Sequence, residues 1–438
     1  MLFDVTSFTW NEEAKPIVGS YLSRVPWVVW GTDKKYYNIY PLKIEELYAK
    51  NATFKTIIKR NANSILGEGI YFEKDSLGNT EVIDFAGRQF TAEGYLKFIG
   101  LDNFVLTKLA YDISLWNGCA LQVVTNKEGT SPLRVRHTHF SKIRIERPTD
   151  PDSDQPIAYY VSPDWSFVNY NGNPKPGYQN YKPIRIPKLG VGEEIGVRMI
   201  YNYEYCPISE YYPMPDAESC YKALKLTIDI IDYQEAYIEN GMQGSSIIYI
   251  PYVPVDTAPG ESLSQKDKAE IERIKKQIRE ELTGKQNAGR ATIITFNPKA
   301  TDNAGNPIGV PRIESPINER NDLKFIEIQK EANQSFLTGL NIISPELFGI
   351  PSSGGFSSQS EMLLTANQLH YSQIVVPKQK LLLDTITELL SMVGFKSKPM
   401  IKNNLPVMNL ITVQAVHEGI FTHDEYREQY GYEPKPKP

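Results

Sequence analysis

The chain has 438 residues, of which 41% are hydrophobic and 23% charged, and its net charge is −5. This length exceeds one ordinary core, and the composition is that of a globular protein, so we expect several substructures. The mild acidity excludes a polycation that wraps nucleic acid over its whole surface. The three cysteines are widely spaced and form no CxxC pair, which argues against a disulfide scaffold and a structural zinc site.

The N-terminal sequence MLFDVTSFTWNEEAK has no basic region followed by an apolar run, so it does not predict a signal peptide. No apolar stretch reaches the roughly 18 residues that a membrane span needs. We therefore expect no membrane contact, reduced cysteine thiols, and a protein used in a cytoplasm or in a particle assembled there.

The first 214 residues are predicted to form an α+β domain. Residues 1–40 are aromatic and irregular, which is typical of an arm or an edge segment. Helical patterns cover residues 43–66 and about 91–116. Short strand-like runs follow, separated by turns rich in Asp, Pro, Gly and Asn, at residues 120–125, 142–146, 157–161, 184–186 and 197–201.

A long helix is predicted to begin at Pro215 and Asp216 and to end at Gly241 and Gly244. At 100° per residue its charged side chains form one stripe roughly 140° wide, and most of the remaining arc is apolar. Such a helix is buried on two sides, as in a ring of identical copies or inside a large monomer. The charged stripe consists of Lys222, Lys225, Asp229, Asp232, Glu235 and Glu239.

Residues 245–297 read as strand, helix, strand, and the helix has only a narrow apolar stripe. The pattern predicts a small, exposed unit between two long helices. Its helix carries basic residues that resemble a phosphate-binding patch, but glutamates interleave with them, which favours a mixed-charge solvated face.

A loop rich in glycine and proline, residues 341–358, separates a helix over 321–340 from a long helix over 359–393. Ser358 and Glu361 form a capping box that restarts the helix, and Pro377 is expected to kink it. A loop of this kind between two helices suits a moving part of a machine better than an active site.

Chemical motifs are weak or missing. His137 and His139 alternate on one face of a strand-like run and can supply two metal ligands, but no third ligand stands at a persuasive spacing, so we expect no metal site. No phosphate-binding loop and no GxSxG elbow is present, and Cys119 has no evident histidine partner. Asp229 and Asp232 suit a solvated helix face better than a catalytic dyad. We expect no catalytic residue, no cofactor and no enzyme activity.

Several segments follow one another in a characteristic order, among them LWNGCALQVV, LTGKQNAGRATIIT and SSQSEMLLTANQLHYSQIVVP. The last, AVHEGIFTHDEYREQYGYEP, supplies Gly419, Thr422, Glu425 and Arg427. In order and spacing, over about residues 43 to 434, the chain resembles the portal proteins of tailed bacteriophages and related prophages.

The resemblance implies an architecture for the whole chain. Its parts would be a wing at 1–214 that includes an N-terminal arm at 1–40, a first stem helix at 215–242, a clip at 243–318, a second stem helix at 319–340, a tunnel loop at 341–358, a kinked wing helix at 359–394 and a short crown at 395–438.

The resemblance also implies a function. Members of this family form a dodecameric ring at one capsid vertex of the virion, assembled in the bacterial cytoplasm, and hydrolyse nothing themselves. Double-stranded DNA passes through the ring without sequence preference. The expected partners are further copies of the chain, terminase, the head–tail adaptor, and the major capsid or scaffold protein.

Site residues follow from the same resemblance. The helix kink falls at Pro377, and the charged stripe of the first stem helix would line the channel. The tunnel loop would face DNA through Gly349, Ile350, Pro351, Ser352, Ser353, Gly354, Gly355 and Phe356. The clip would dock partners through Lys268, Arg273, Lys275, Lys276 and Arg279.

Two alternatives remain open at this point. One is another virion structural or head–tail connector protein without a DNA channel. The other is a metal-dependent enzyme that processes nucleic acid, which would need carboxylates on strand ends near a lysine, a set that the sequence does not show.

Overall fold

The structure is a computed structural model of the chain. Two compact units are present: a first unit made of Met1–Ser219 and Thr338–Pro438, and a second unit made of Cys220–Leu337. The structure describes residues 25–31, 35–73, 80–85, 87–127, 131–148, 156–191, 196–209, 211–239, 247–251, 264–266, 268–269, 272–273, 276, 292–296, 313–314, 320–350, 360–403 and 422.

Runs of helices and runs of strands follow one another along the described residues, which confirms the α+β class. The helices are α1 (Tyr40–Lys50), α2 (Ala52–Leu66), α3 (Ala92–Phe98), α4 (Asn103–Trp116), α5 (Asp216–Ser219), α6 (Tyr221–Glu239), α7 (Arg320–Gly339), α8 (Ser360–His370) and α9 (Val376–Ser391). The strands are β1 (Ile70–Phe72), β2 (Val82–Phe85), β3 (Arg88–Thr91), β4 (Gly118–Thr125), β5 (Pro132–His137), β6 (Ile143–Ile145), β7 (Ala158–Val161), β8 (Ile184–Pro187), β9 (Val197–Tyr203), β10 (Ile247–Pro251), β11 (Thr292–Phe296), β12 (Ile313–Glu314) and β13 (Pro399–Ile401).

The single helix predicted over 43–66 is in fact two helices, α1 and α2. Asn51 separates them with extended backbone angles (φ −103°, ψ 108°), and its side chain accepts a hydrogen bond of 2.9 Å from the backbone N–H of Phe54. This N-cap satisfies one of the free donors at the start of α2 and restarts the helix. The prediction of one continuous helix was wrong because a good cap stands inside an apolar pattern that continues across it.

The helix predicted over 91–116 is also divided, into α3 and α4. Thr91 and Asp102 cap the two helices by accepting hydrogen bonds from backbone N–H groups three residues on. Gly100 lies between them with φ +88°, in the left-handed region where a side chain is strained. The internal glycine therefore marks a turn rather than a tolerated helical position.

The first unit contains short antiparallel sheets. β4 is the central strand between β5 and β9, and β7 lies between β6 and β8. Each strand predicted between residues 120 and 201 is present, with ends that shift by one or two residues. β1 pairs with β13, which follows it by more than three hundred residues, so the C-terminal part of the chain returns to the N-terminal helices.

The main core of the first unit lies between α2, α4, β4 and α9. Leu109 and Ile113 of α4 and Leu121 of β4 are fully buried, as are Leu382 and Ile386 of α9. The second half of the predicted long helix is thus a core element of the first unit. The burial of these apolar side chains is the dominant favourable contribution to the stability of the first unit.

A second packed region surrounds the side chain of Arg144, which is 1% exposed. Its Nε donates to Asn38 Oδ1 (2.9 Å) and its Nη2 to the Asn38 carbonyl (2.6 Å). Its Nη1 donates to the carbonyls of Ser141 (2.8 Å) and Ile143 (2.7 Å). Burial lowers the pKa of Arg144 to about 10, so the guanidinium stays charged at neutral pH.

Residues 25–31 and 35–40 belong to this region. Trp27 and Trp30 are buried, and the Trp30 ring stacks on Tyr212 at 4.5 Å between centroids. The Val28 N–H donates to the Ile145 carbonyl (2.9 Å) beside a bridge between Trp27 and Glu146. This part of the predicted arm or edge segment is therefore an edge segment on β6, while residues 1–24 lie outside the described residues.

The second unit, taken by itself, contains α6 and a small mixed sheet. β10 runs parallel to β11 and antiparallel to β12. Parts of the predicted helix over 264–283 are described as helical, and the Lys268 N–H donates to the Ser264 carbonyl (3.0 Å). Among all the described residues, no helix is both long and apolar enough to cross a membrane.

Replacing Arg144 by methionine is expected to lower the free energy of unfolding of the first unit by about 3 kcal/mol, because the buried carbonyls of Asn38 and Ile143 lose their donor at about 1–3 kcal/mol each. Urea denaturation followed by tryptophan fluorescence measures this, since the guanidinium lies 5.4 Å from the Trp30 ring. Arg136→Met, on an exposed position of β5, is the control and should change stability by less than about 0.5 kcal/mol. Equal midpoints for the two variants would contradict the assignment.

Candidate functional site

The base of the predicted loop is a short 3-10 turn over Pro345–Phe348. Ser344 precedes it with extended backbone angles, and Pro345 occupies a first-turn position, where its missing N–H costs nothing. Gly349 ends the turn in the left-handed conformation (φ +70°). The Gly349 N–H donates to the Glu346 carbonyl (2.9 Å) and the Ile350 N–H to the Pro345 carbonyl (3.1 Å), so the turn is closed on itself.

Two other elements hold this base in place. Arg60 of α2 donates to the Leu347 carbonyl (2.8 Å), and a Cβ added at Gly349 would lie 2.8 Å from the Arg60 guanidinium. Phe348 is 3% exposed and meets the ring of His370 edge to face, with centroids 5.4 Å apart. The chain therefore enters the predicted loop from a fixed point.

Of the predicted tunnel-loop residues, the structure describes Gly349 and Ile350. Pro351, Ser352, Ser353, Gly354, Gly355 and Phe356 lie outside the described residues, as does Ser358 of the predicted capping box. That these side chains face DNA stays a prediction.

The helix after the loop is not one regular α-helix. α8 ends at His370, a π-helical turn covers Tyr371–Val375, and α9 begins at Val376. Pro377 stands in the first turn of α9 and has no N–H for the carbonyl one turn before it. The wider π turn directly precedes this proline, as is common where the regular hydrogen-bond ladder is interrupted. The predicted bend at Pro377 stays a prediction.

Buried polar contacts fix α9 beyond the proline. Lys378, whose side chain is 8% exposed, forms an ion pair of 3.0 Å with Asp216 at the start of α5. The other Asp216 oxygen accepts from Asn117 Nδ2 (2.8 Å). Gln379 is also buried and donates to Asn403 Oδ1 (2.7 Å). α9 is thereby anchored to two separated parts of the first unit, the start of α5 and Asn403.

The charged stripe of α6 lies at the surface of the chain. Lys222, Lys225, Glu235 and Glu239 are exposed, and Asp229 and Asp232 are half-buried. Lysines occupy the first part of the helix and carboxylates the rest, so the sign of the charge changes along it. On the predicted clip helix Lys268, Arg273 and Lys276 are exposed, whereas Lys275 and Arg279 lie outside the described residues.

The structure supplies a neighbour for His137 and His139 that the sequence did not reveal. Asp112 Oδ2, on α4, lies at hydrogen-bonding distance (2.8 Å) from His137 Nε2. The same oxygen accepts a hydrogen bond of 3.2 Å from the Phe140 N–H. One ligand atom from each of Asp112, His137 and His139 lies within 4.8 Å of the others. In the sequence, the only signal for Asp112 was an acidic residue among apolar positions of α4. In the structure, its neighbours Leu109 and Ile113 are buried.

Cys119 does not have the environment of a nucleophile. The thiol is fully buried, and burial raises its pKa to about 12, so the thiolate that would react is almost absent at neutral pH. The Cys119 Sγ lies 3.4 Å from the Thr385 hydroxyl, which itself donates to the Leu381 carbonyl (2.9 Å). Cys119 is a packing residue between β4 and α9.

His370 makes the loop base sensitive to acid. Its Nδ1 is buried with no hydrogen-bond partner among the described residues. Burial, and secondly the charge of Lys378, lower the pKa of His370 to about 4. An unfolded histidine binds its proton near pH 6.5, so the unfolded state takes up more protons than the folded state between about pH 6.5 and pH 4. Stability therefore falls as the pH falls through this window.

We expect His370→Phe, which keeps an aromatic ring against Phe348, to remove this loss. Between pH 7.5 and pH 4.5 the wild-type chain should lose about 2 kcal/mol more free energy of unfolding than the variant. Urea denaturation of both proteins at the two pH values measures the difference, and a constant packing effect of the substitution cancels. Parallel losses in the two proteins would show that His370 does not titrate as its burial requires.

Comparison with known proteins bears on the fold. A search of protein-family models found no match, and a search of curated proteins found none either. A protein in the neck of an empty gene transfer agent (GTA) particle, computed with C6 symmetry, is 16% identical with a TM-score of 0.51, over 90% of this chain and 93% of that one.

Two further solved structures are similar. A protein in the virion of a native gene transfer agent particle is 16% identical with a TM-score of 0.49, over 93% of this chain and 96% of that one. An HK97 family phage portal protein from Corynebacterium diphtheriae is 11% identical with a TM-score of 0.33, over 76% of this chain and 90% of that one. The chain therefore has an α+β fold similar to that of a protein in the neck of a gene transfer agent particle.

Proposed function

We propose that the chain is one subunit of a portal, a homo-oligomeric ring in the neck of a phage-like particle through which double-stranded DNA passes. The observation that carries this proposal is the similarity to a neck protein over 90% of the chain. The portal-like order of segments in the sequence supports it independently. The ring is expected to contain twelve copies.

The surface of α6 supports assembly into a ring. Leu226, Ile231 and Ile238 are 41%, 54% and 62% exposed in the single chain, on a helix that also carries the charged stripe. Several large apolar side chains exposed along one helix mark a surface that another protein covers. In the proposed ring, copies of the same helix from adjacent subunits cover them, and the charged stripe remains for the channel.

The carboxylates of the stripe give the channel a low affinity for DNA. Proteins hold the phosphate backbone through lysine and arginine, and each such contact releases counterions and strengthens binding. Asp229, Asp232, Glu235 and Glu239 repeated around a ring repel the backbone instead. DNA then moves along the bore without being held, which is what packaging and ejection require.

The proposed partners follow from the same assignment. Terminase and the head–tail adaptor dock on the clip, where Lys268, Arg273 and Lys276 are exposed. The wing contacts the major capsid or scaffold protein at one vertex of a virion that is assembled in the bacterial cytoplasm. A cryo-electron microscopy reconstruction of intact particles locates these partners, and a chain found away from a single vertex would contradict the assignment.

Electron microscopy of the purified chain tests the ring directly. We expect closed rings with a central hole wide enough for duplex DNA, since the duplex must pass through it. Assemblies without a central hole would favour a structural or connector protein that has no channel. Monomers at every concentration and salt condition would overturn the proposal.

Replacing Asp232 and Glu239 together by lysine is expected to make the rings bind DNA. Because each added lysine can contact a phosphate, the affinity for duplex DNA should rise at least tenfold at low salt and fall more steeply with added salt. Fluorescence anisotropy with a labelled duplex measures both changes. The double variant Glu73→Lys and Glu204→Lys makes the same change in net charge at exposed positions of the first unit. Equal gains in affinity for the two double variants would show that the α6 stripe does not line the path of DNA.

A further inference from the structure

We propose that Asp112, His137 and His139 form a binding site for a divalent transition metal ion of the zinc class. This site lies in the first unit and takes no part in the proposed passage of DNA. The metal-site proposal therefore does not depend on the portal assignment.

Two separate pieces of backbone bring the ligands together. Asp112 lies on the buried side of α4, and His137 is the last residue of β5. His139 follows in an extended conformation (φ −54°, ψ 128°), which places it on the same side of the chain as His137. The two imidazole rings are 4.9 Å apart between centroids and nearly perpendicular, at 81°.

Hydrogen bonding explains two of these residues but not the third. The carboxylate of Asp112 and the ring of His137 are 9% and 5% exposed, and they satisfy each other. His139 is exposed, and within the described part of the chain its ring makes no hydrogen bond. An Asp–His pair with a purely structural role would not need a second imidazole beside it, whereas a metal site needs a third ligand. His139 is therefore the residue that distinguishes the two interpretations.

The chemistry of the ligands selects the ion. Two imidazoles and one carboxylate suit Zn²⁺, Co²⁺ or Ni²⁺, whereas Mg²⁺ and Ca²⁺ prefer sites made of oxygen. Zinc bonds of about 2.0–2.1 Å place tetrahedral ligand atoms about 3.3 Å apart. The 2.8 Å contact between Asp112 and His137 must open slightly, and the exposed His139 ring must turn inward from its present separation of up to 4.8 Å.

The surroundings limit the affinity. Imidazoles bind metal ions in their deprotonated form, so protons compete with the ion and binding weakens as the pH falls. Lys108 and Lys142 both act on His139 electrostatically, and their positive charge opposes a cation at the site. Three protein ligands leave a fourth position for water. We therefore expect one ion per chain, bound more weakly than in a closed four-ligand site.

Isothermal titration of the untagged, EDTA-treated chain with ZnCl₂ tests the proposal, and the visible absorption of bound Co²⁺ reports the coordination geometry. One equivalent per chain is expected, with binding at least tenfold weaker in His139→Ala. Because His139 is exposed, this variant keeps the contact between Asp112 and His137, and its melting temperature without metal should equal that of the wild type. Zinc should raise the melting temperature of the wild type alone.

The control is His417→Ala, which removes a histidine elsewhere in the sequence and should leave zinc binding unchanged. Failure of the wild-type chain to bind zinc overturns the proposal. So does binding that His139→Ala leaves as strong as in the wild type. Neither result bears on the portal assignment, because ring formation is measured separately by electron microscopy.

Discussion

The buried guanidinium of Arg144 is the constraint on which the first unit depends. A charge removed from water must be met by fixed acceptors, and here the acceptors are Asn38 and the carbonyls of Ser141 and Ile143. The guanidinium carbon also lies 4.7 Å from the Trp165 ring, at a distance where a cation and an aromatic face attract. The position of one side chain thus fixes the N-terminal segment, β6 and the turn after β7.

Hydrogen bonds and an ion pair connect this cluster with the start of α5 and with α9. The Tyr212 hydroxyl donates to the Val28 carbonyl (2.5 Å) and accepts the Ile145 N–H (3.0 Å), which ties the approach to α5 to the same region. Asp216 then begins α5 and is paired with Lys378 of α9. Because α9 follows the π turn and the predicted loop, the residues on both sides of that loop are held by the first unit.

The sequence predicted much of this architecture. Turns rich in Asp, Pro, Gly and Asn placed five strands between 120 and 201 within two residues, and the order of segments indicated the portal resemblance. Predictions failed where a cap stood inside a continuous apolar pattern, as at Asn51 and Asp102. The pair of β1 and β13 was not predicted, since each strand has three residues and its partner lies far away in the chain.

Local sequence alone determined helix and strand tendencies, the charged stripe of α6 and the absence of recognisable catalytic motifs, because these depend on the spacing of neighbouring residues. Only the tertiary structure decided which residues that are distant in the sequence lie in contact. Asp112 joins His137 and His139, Arg144 collects acceptors from Asn38 and Ser141, and Arg60 meets the base of the loop. No spacing rule predicts these contacts, because folding brings together residues whose separation along the chain carries no information about their distance in space.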